Sequence, residues 1–140
     1  MSKSGPIVVV EDDADDRIFL EKIFTDLETE NPRLYFDTGD AVMDYLLTTS
    51  KSTYFILSDI NLPGQNGLDF KRQVDDDPIL RKKSIPFIFY SSSARQEHID
   101  TAYSEMTVQG FFKKEDSYQQ ARAMIATILH YWSLCRHPNM

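Results

Sequence analysis

The chain has 140 residues, 41% of them hydrophobic, and a formal net charge of −7, which suits one domain (1–140, core about 6–134) with no room for an attached output domain. The acidic balance argues against direct nucleic-acid binding or an anionic-membrane surface, both of which need a basic patch. Cys135 alone excludes a disulfide framework or multi-cysteine zinc site, His98, His130 and His137 keep no ligand spacing with it, and a short polar N-terminus without any run of about 18 apolar residues makes the cytoplasm the expected location.

Ile7–Val10 is a continuous β-branched run that fits a strand buried on both faces, and it ends in Glu11, Asp12 and Asp13. Asp13 is a good N-cap, and Leu20, Ile23, Phe24 and Leu27 recur at helical spacing, which predicts a first helix over about 14–29. A short second strand at 34–36 turns through Asp37-Thr38-Gly39 into a helix carrying Ala41, Val42, Tyr45 and Leu46. The third apolar run, 54–57, closes on Asp59 and the turn formers Pro63, Gly64, Asn66 and Gly67. A third helix with Leu68, Phe70 and Val74 stops at Asp77-Pro78, and the charged stretch 75–84 reads as a solvated loop or short extra turn. A fourth strand (87–90) ends at Ser91-Ser92-Ser93, a fourth helix covers about 95–105, and a fifth strand (108–113) ends at Lys114. Ser117 and Gln120 stand in capping-box spacing before a last helix with the core stripe Ala121, Ile125, Ile128 and Trp132, and residues after Leu134 read as a tail.

Five strands alternating with five helices predict an α/β fold, a doubly wound, flavodoxin-like parallel sheet of order 2-1-3-4-5. Ligands of such sheets bind beyond the carboxyl ends of the strands, where Glu11, Asp12, Asp59, Ser91 and Lys114 fall. Carboxylates gathered there repel by about 4 kcal/mol per pair at about 4 Å and an effective dielectric of about 20, so they take up protons or bind a hard cation such as magnesium. A carboxylate nucleophile, a divalent ion, a lysine and a hydroxyl are together the parts needed to accept a phosphoryl group.

Four motifs carry a resemblance. They are Val8-Val9-Val10-Glu11-Asp12-Asp13 with Arg17, Leu57-Ser58-Asp59-Ile60-Asn61-Leu62-Pro63 with Gly67, Tyr90-Ser91-Ser92, and Gly110-Phe111-Phe112-Lys113-Lys114. In this order the chain resembles the receiver domains of two-component response regulators, and the loop from Asp77 to Arg81 before Ile85-Pro86 looks like the stand-alone receivers associated with phytochrome-type kinases. The resemblance implies that Asp59 is the phosphoacceptor of a phosphorelay and that Asp12 binds Mg2+ directly and Glu11 through water, with Asn61 lending its backbone carbonyl. It implies further that Ser91 and Lys114 bind phosphoryl oxygens and that Phe111 changes rotamer with Ser91. The implied partners are a sensor histidine kinase or phosphotransfer protein and a downstream protein target; a homodimer through the fourth helix, fifth strand and fifth helix is left open by the sequence. The protein would be a signalling domain rather than an enzyme, catalysing only its own phosphotransfer and dephosphorylation.

One departure is the residue after Lys114, where the family has a proline commonly joined by a cis bond and this chain has Glu115. A non-proline cis bond costs about 3 kcal/mol, so a trans bond is expected here, with Lys113 as the fallback for the phosphate-binding lysine. Two rival functions follow from the same residues. A phosphorylation-independent pseudo-receiver would bind partners without chemistry, and a magnesium-dependent phosphatase of the haloacid-dehalogenase type would need a second acid where Asn61 stands.

Overall fold

The computed structural model describes residues 2–92 and 95–139. Five parallel strands, β1 (Ile7–Val10), β2 (Arg33–Phe36), β3 (Phe55–Ser58), β6 (Phe87–Ser91) and β7 (Gly110–Lys113), lie in the order β2-β1-β3-β6-β7. This is the expected flavodoxin-like order, with a two-stranded antiparallel hairpin, β4 (Asn61–Leu62) and β5 (Gln65–Asn66), added after β3.

The helices are α1 (Ala14–Asp26), α2 (Gly39–Thr48), α3 (Gly67–Asp76), α4 (Pro78–Lys83), α5 (Gln96–Glu105) and α6 (Tyr118–Leu134). Six α-helices among the described residues replace the expected five, because the stretch read as a loop or short turn forms α4. Asp77 explains the difference: it is at once the C-cap of α3 and the N-cap of α4, its carboxylate accepting from the N–H groups of Ile79 and Leu80 while Pro78 takes the first helical position. The first helix ends three residues earlier than expected, at Asp26, where Leu27 and a left-handed Glu28 turn the chain.

Alternation along the strands divides the core in two. Ile7, Val9, Phe55, Leu57, Ile88 and Tyr90 face α1 and α6, where Leu20, Ile23, Phe24, Ile125, Ile128 and Trp132 are buried. Val8, Val10, Ile56, Phe87 and Phe89 face the other side, against Val42, Leu46, Phe70, Val74, Leu80 and Ala102 of α2 to α5. With both faces covered, the strands carry no polar alternation and the continuous apolar runs are accounted for.

Residues after Leu134 do not form a free tail. His137 is buried (4% exposed) against the rings of Tyr54 and Trp132, and the Asn139 side-chain amide donates to the carbonyl of Lys83.

Candidate functional site at the carboxyl edge of the sheet

The hydrogen-bond ladder runs one residue past the ends of β1, β3 and β7, and this sets the site. Glu11 N–H donates to the Phe36 carbonyl (2.9 Å), Asp59 N–H to that of Val10 (3.0 Å) and Lys114 N–H to that of Ser91 (2.9 Å). Glu11, Asp59 and Lys114 are thereby fixed on the last rung of β1, β3 and β7, and their side chains meet. Lys114 Nζ donates to Glu11 Oε1 at 2.5 Å, to Asp16 Oδ2 at 2.8 Å and to Asp59 Oδ2 at 2.9 Å. Lys113, one residue earlier and on the opposite side of the strand, is exposed. The described peptide bonds are all trans, Lys114–Glu115 included, so the expected trans geometry is compatible with a lysine aimed at Asp59.

Asp59 is 6% exposed, and its other oxygen is held by its own loop: Oδ1 accepts from the N–H of Ile60 (2.7 Å) and of Asn61 (3.2 Å). The loop then closes quickly. Gly67 N–H donates to the Ile60 carbonyl at 2.6 Å, and Asn66 caps α3 by accepting from Leu68 N–H at 2.6 Å. Gly67 is required there, because a Cβ would overlap the Asp59 carbonyl oxygen and come within 2.8 Å of the Ile60 Cα.

Electrostatics follow burial. Glu11 is 2% exposed, and desolvation raises its pKa above the ordinary carboxylate value, although Lys114 pulls it down; the nearby Asp59 charge adds to the rise. Burial disfavours the Lys114 ammonium, but its hydrogen bonds to Asp16, Glu11 and Asp59 outweigh it and hold the pKa above the usual lysine value. The lysine stays charged across the physiological range.

The remaining expected site residues are placed differently. Asp12 is exposed and borders an open cleft of about 550 Å³ with Asn61, Pro63, Asn66 and Asp69, beside rather than within the Lys114 network. Asn61 opens the β4–β5 hairpin that walls this cleft. Ser91 is fully buried as the last residue of β6, while Ser93 of the expected serine turn lies outside the described residues. Phe111 is half-buried against Phe89, with ring centroids 5.8 Å apart. Asp16, on the first turn of α1, is the residue the sequence reading did not single out; its only sequence signal is its place two residues inside a helix that starts at the carboxylate cluster.

Among the described residues no group of three His, Cys, Asp or Glu side chains is arranged to hold a metal ion. The donor chemistry nevertheless fits magnesium, since Glu11, Asp12, Asp59 and the Asn61 carbonyl supply hard oxygens only.

Response regulators and receivers are among the solved structures similar to this one. The phosphorylated cyanobacterial phytochrome response regulator RcpA is 22% identical with a TM-score of 0.83, over 95% of this chain and 97% of that one. RPA3017, a response regulator in red light signaling of R. palustris, is 20% identical with a TM-score of 0.86, over 97% and 99%. The receiver domain of the sensor histidine kinase PA1611 from Pseudomonas aeruginosa PAO1, with magnesium coordinated in its active site cleft, is 20% identical with a TM-score of 0.71, over 91% and 95%. At these identities the likeness is one of fold. Among curated proteins none matches the chain. Residues 7–126 match the response regulator receiver domain family, and the chain belongs to that family. It is a receiver domain of two-component signalling, and no described helix is long and apolar enough to cross a membrane.

Proposed function

We propose that this receiver accepts a phosphoryl group onto Asp59 from the phosphohistidine of a sensor histidine kinase or phosphotransfer protein, and passes the change on by contact with another protein. The observation that carries the reading is the setting of the Asp59 carboxylate, buried at the end of β3, with two backbone N–H groups on one oxygen and the Lys114 ammonium on the other. A nucleophile so held keeps one orientation toward an incoming phosphorus.

In the proposed reaction a carboxylate oxygen of Asp59 forms the new O–P bond as the P–N bond to the donor imidazole breaks in line, the electron pair leaving with the ring nitrogen. Lys114 then shifts its hydrogen bond from Asp59 to a phosphoryl oxygen, where its fixed charge offsets the developing negative charge. Magnesium, held by Glu11, Asp12, Asp59 and the Asn61 carbonyl, would supply further positive charge to those oxygens. The acyl phosphate adds roughly −1.5 to −2 charges beside an already acidic edge. The Ser91 hydroxyl would turn to the new oxygens, and Phe111, packed on Phe89 next to it, would move into the space this opens. That movement would alter the surface of α5, β7 and α6, the proposed face for a target or a second copy. The fold likeness to RcpA and RPA3017 supports a phytochrome-type kinase as the donor.

The test is incubation with acetyl phosphate and Mg2+, followed by intact mass and peptide mapping. The expected result is one added phosphoryl group on Asp59, absent in Asp59→Asn. No modification of the wild-type chain would favour the pseudo-receiver, in which the Lys114 network is a finished ion-pair cluster. Steady phosphate release from a monoester substrate would favour the phosphatase.

A further inference from the structure

We propose that Asp16 is the positioning residue for Lys114: it holds the ammonium in place while the other two partners of that ammonium change during phosphoryl transfer. The inference deepens, and rests on, the reading of Asp59 as phosphoacceptor.

A lysine ammonium has three N–H donors. All three are used here, on Glu11 Oε1, Asp16 Oδ2 and Asp59 Oδ2 at 2.5, 2.8 and 2.9 Å. Glu11 and Asp59 are the buried carboxylates of the reacting edge: Asp59 gives up its bond to Lys114 when it takes the phosphoryl group, and Glu11 is a proposed magnesium ligand. Asp16 takes no part in that chemistry. Its carboxylate is 44% exposed, outside the buried pair, and can keep its bond throughout.

The backbone shows why such an anchor is needed. Lys114 follows the last residue of β7, an edge strand, and its backbone is tied by a single N–H to Ser91, with no regular structure until α6 begins at Tyr118. Four rotatable side-chain bonds separate that backbone from Nζ. Asp16, by contrast, sits on the first turn of α1, and its own N–H is fixed on the Asp13 cap at 3.0 Å. The mobile charge is therefore tethered to a rigid one, from a helix 98 residues away in the chain.

The test compares phosphorylation rates from acetyl phosphate and Mg2+ in wild type, Asp16→Asn, Asp16→Glu, Lys114→Ala and the double variant Asp16→Asn/Lys114→Ala. Loss of the anchor should slow Asp16→Asn by about 10- to 100-fold, the scale of a misplaced catalytic group. Asp16→Glu, which keeps the charge, should recover part of that rate. In the Lys114→Ala background the Asp16→Asn change should matter by less than about twofold, because its effect runs through the lysine. A structural readout is the 15N-detected ammonium signal of Lys114, protected in wild type, weakened in Asp16→Asn without a phosphodonor, where Glu11 and Asp59 still hold the ammonium, and lost with one. An unchanged or faster rate in Asp16→Asn, or a full loss repeated in the Lys114→Ala background, overturns the assignment. Failure of the wild-type chain to be modified at Asp59 would instead sink the underlying reading, and the ammonium signal would still report whether Asp16 holds Lys114.

Discussion

His137 closes on Tyr54: its Nε2 donates to the Tyr54 carbonyl oxygen at 2.6 Å, while its Nδ1 accepts from the Asn139 N–H at 3.1 Å. The neutral ring with its proton on Nε2 satisfies both, since a carbonyl can only accept. Tyr54 immediately precedes β3, so the contact lies at the amino edge of the sheet, opposite Asp59. His137→Ala should leave the Tyr54 carbonyl without this partner and cost about 1–3 kcal/mol in urea unfolding, with phosphorylation at Asp59 unaffected. A variant as stable as wild type would show that the C-terminal segment packs without contributing.

A second buried polar cluster sits under α3. Lys71 is 2% exposed, and its Nζ donates to Asp75 Oδ1 at 2.7 Å and Thr107 Oγ1 at 3.1 Å, 4.9 Å from the Phe87 ring centroid. Burial pushes the lysine pKa down; Asp75 is also desolvated, but its bonds from Lys71 and Thr107 bring its pKa below the usual range. Asp75→Ala, which strands a buried ammonium, should cost about 3–5 kcal/mol. Lys71→Met, which leaves Asp75 its two bonds from Thr107, should cost less, about 1.5–3 kcal/mol. Equal or reversed costs in chemical denaturation would refute the ordering.

Strand-end residues were legible in the sequence because local signals fix them. An apolar run closed by turn formers locates Asp59, and the same logic locates Glu11 and Lys114, so the network's core follows once the sheet order is known. The missed features all depend on distant or ambiguous partners. Asp77-Pro78 stops one helix and starts another with the same two residues, and only Leu80 packing into the core shows that the second helix exists. His137 meets Tyr54 across 83 residues, and nothing in the local pattern after Leu134 announces it. Asp16 looks like one more acid in a helix's first turn until Lys114 arrives beside it.

Acid sensitivity should show at the β2 edge. Arg33 grips both oxygens of Glu21, at 3.0 and 2.5 Å, and Tyr35 OH donates to the same carboxylate at 2.8 Å. The Arg33 hydrogen bond lowers the Glu21 pKa first, against some desolvation, with Tyr35 adding to it. A depressed folded-state pKa means the pair stabilises above the unfolded glutamate pKa of about 4.3 and loses that contribution as pH falls through the folded value. Glu21 is half-exposed, so the effect is at most about 1 kcal/mol. The urea midpoint of Glu21→Gln should lie below wild type at pH 7 and converge on it as the pH falls through the folded value. A gap independent of pH would show that the loss is one of packing.

The two lysines at the end of β7 should differ sharply. Lys114→Ala should leave magnesium binding, followed by calorimetry, nearly intact, because the proposed ligands are oxygens on other elements, but should slow phosphorylation strongly. Lys113 is exposed and Lys113→Ala should match wild type in both. Equal losses in the two variants would reverse the assignment.

Gly67 and Gly64 separate conformational strain from a steric requirement. Gly64 has φ +69°, and nothing lies within 4 Å of where its Cβ would be, so Gly64→Ala should cost only the left-handed penalty of about 1–2 kcal/mol and leave Asp59 where it is. Gly67 has the opposite problem: a Cβ there runs into the Asp59 carbonyl oxygen and the Ile60 Cα, both main chain, so no rotamer change relieves it. Relief requires the 59–60 backbone to move away from α3, which breaks the Gly67 N–H bond to Ile60 and tilts the Asp59 carboxylate out of the reach of Lys114. Gly67→Ala should therefore destabilise the fold by about 1–3 kcal/mol and also slow phosphorylation by about 100-fold, a displacement near 1 Å being enough. Gly64→Ala should be phosphorylated at the wild-type rate. If Gly67→Ala loses stability but not phosphorylation, the loop has another way to accommodate the methyl group, and the close approach of Gly67 is not what aims Asp59.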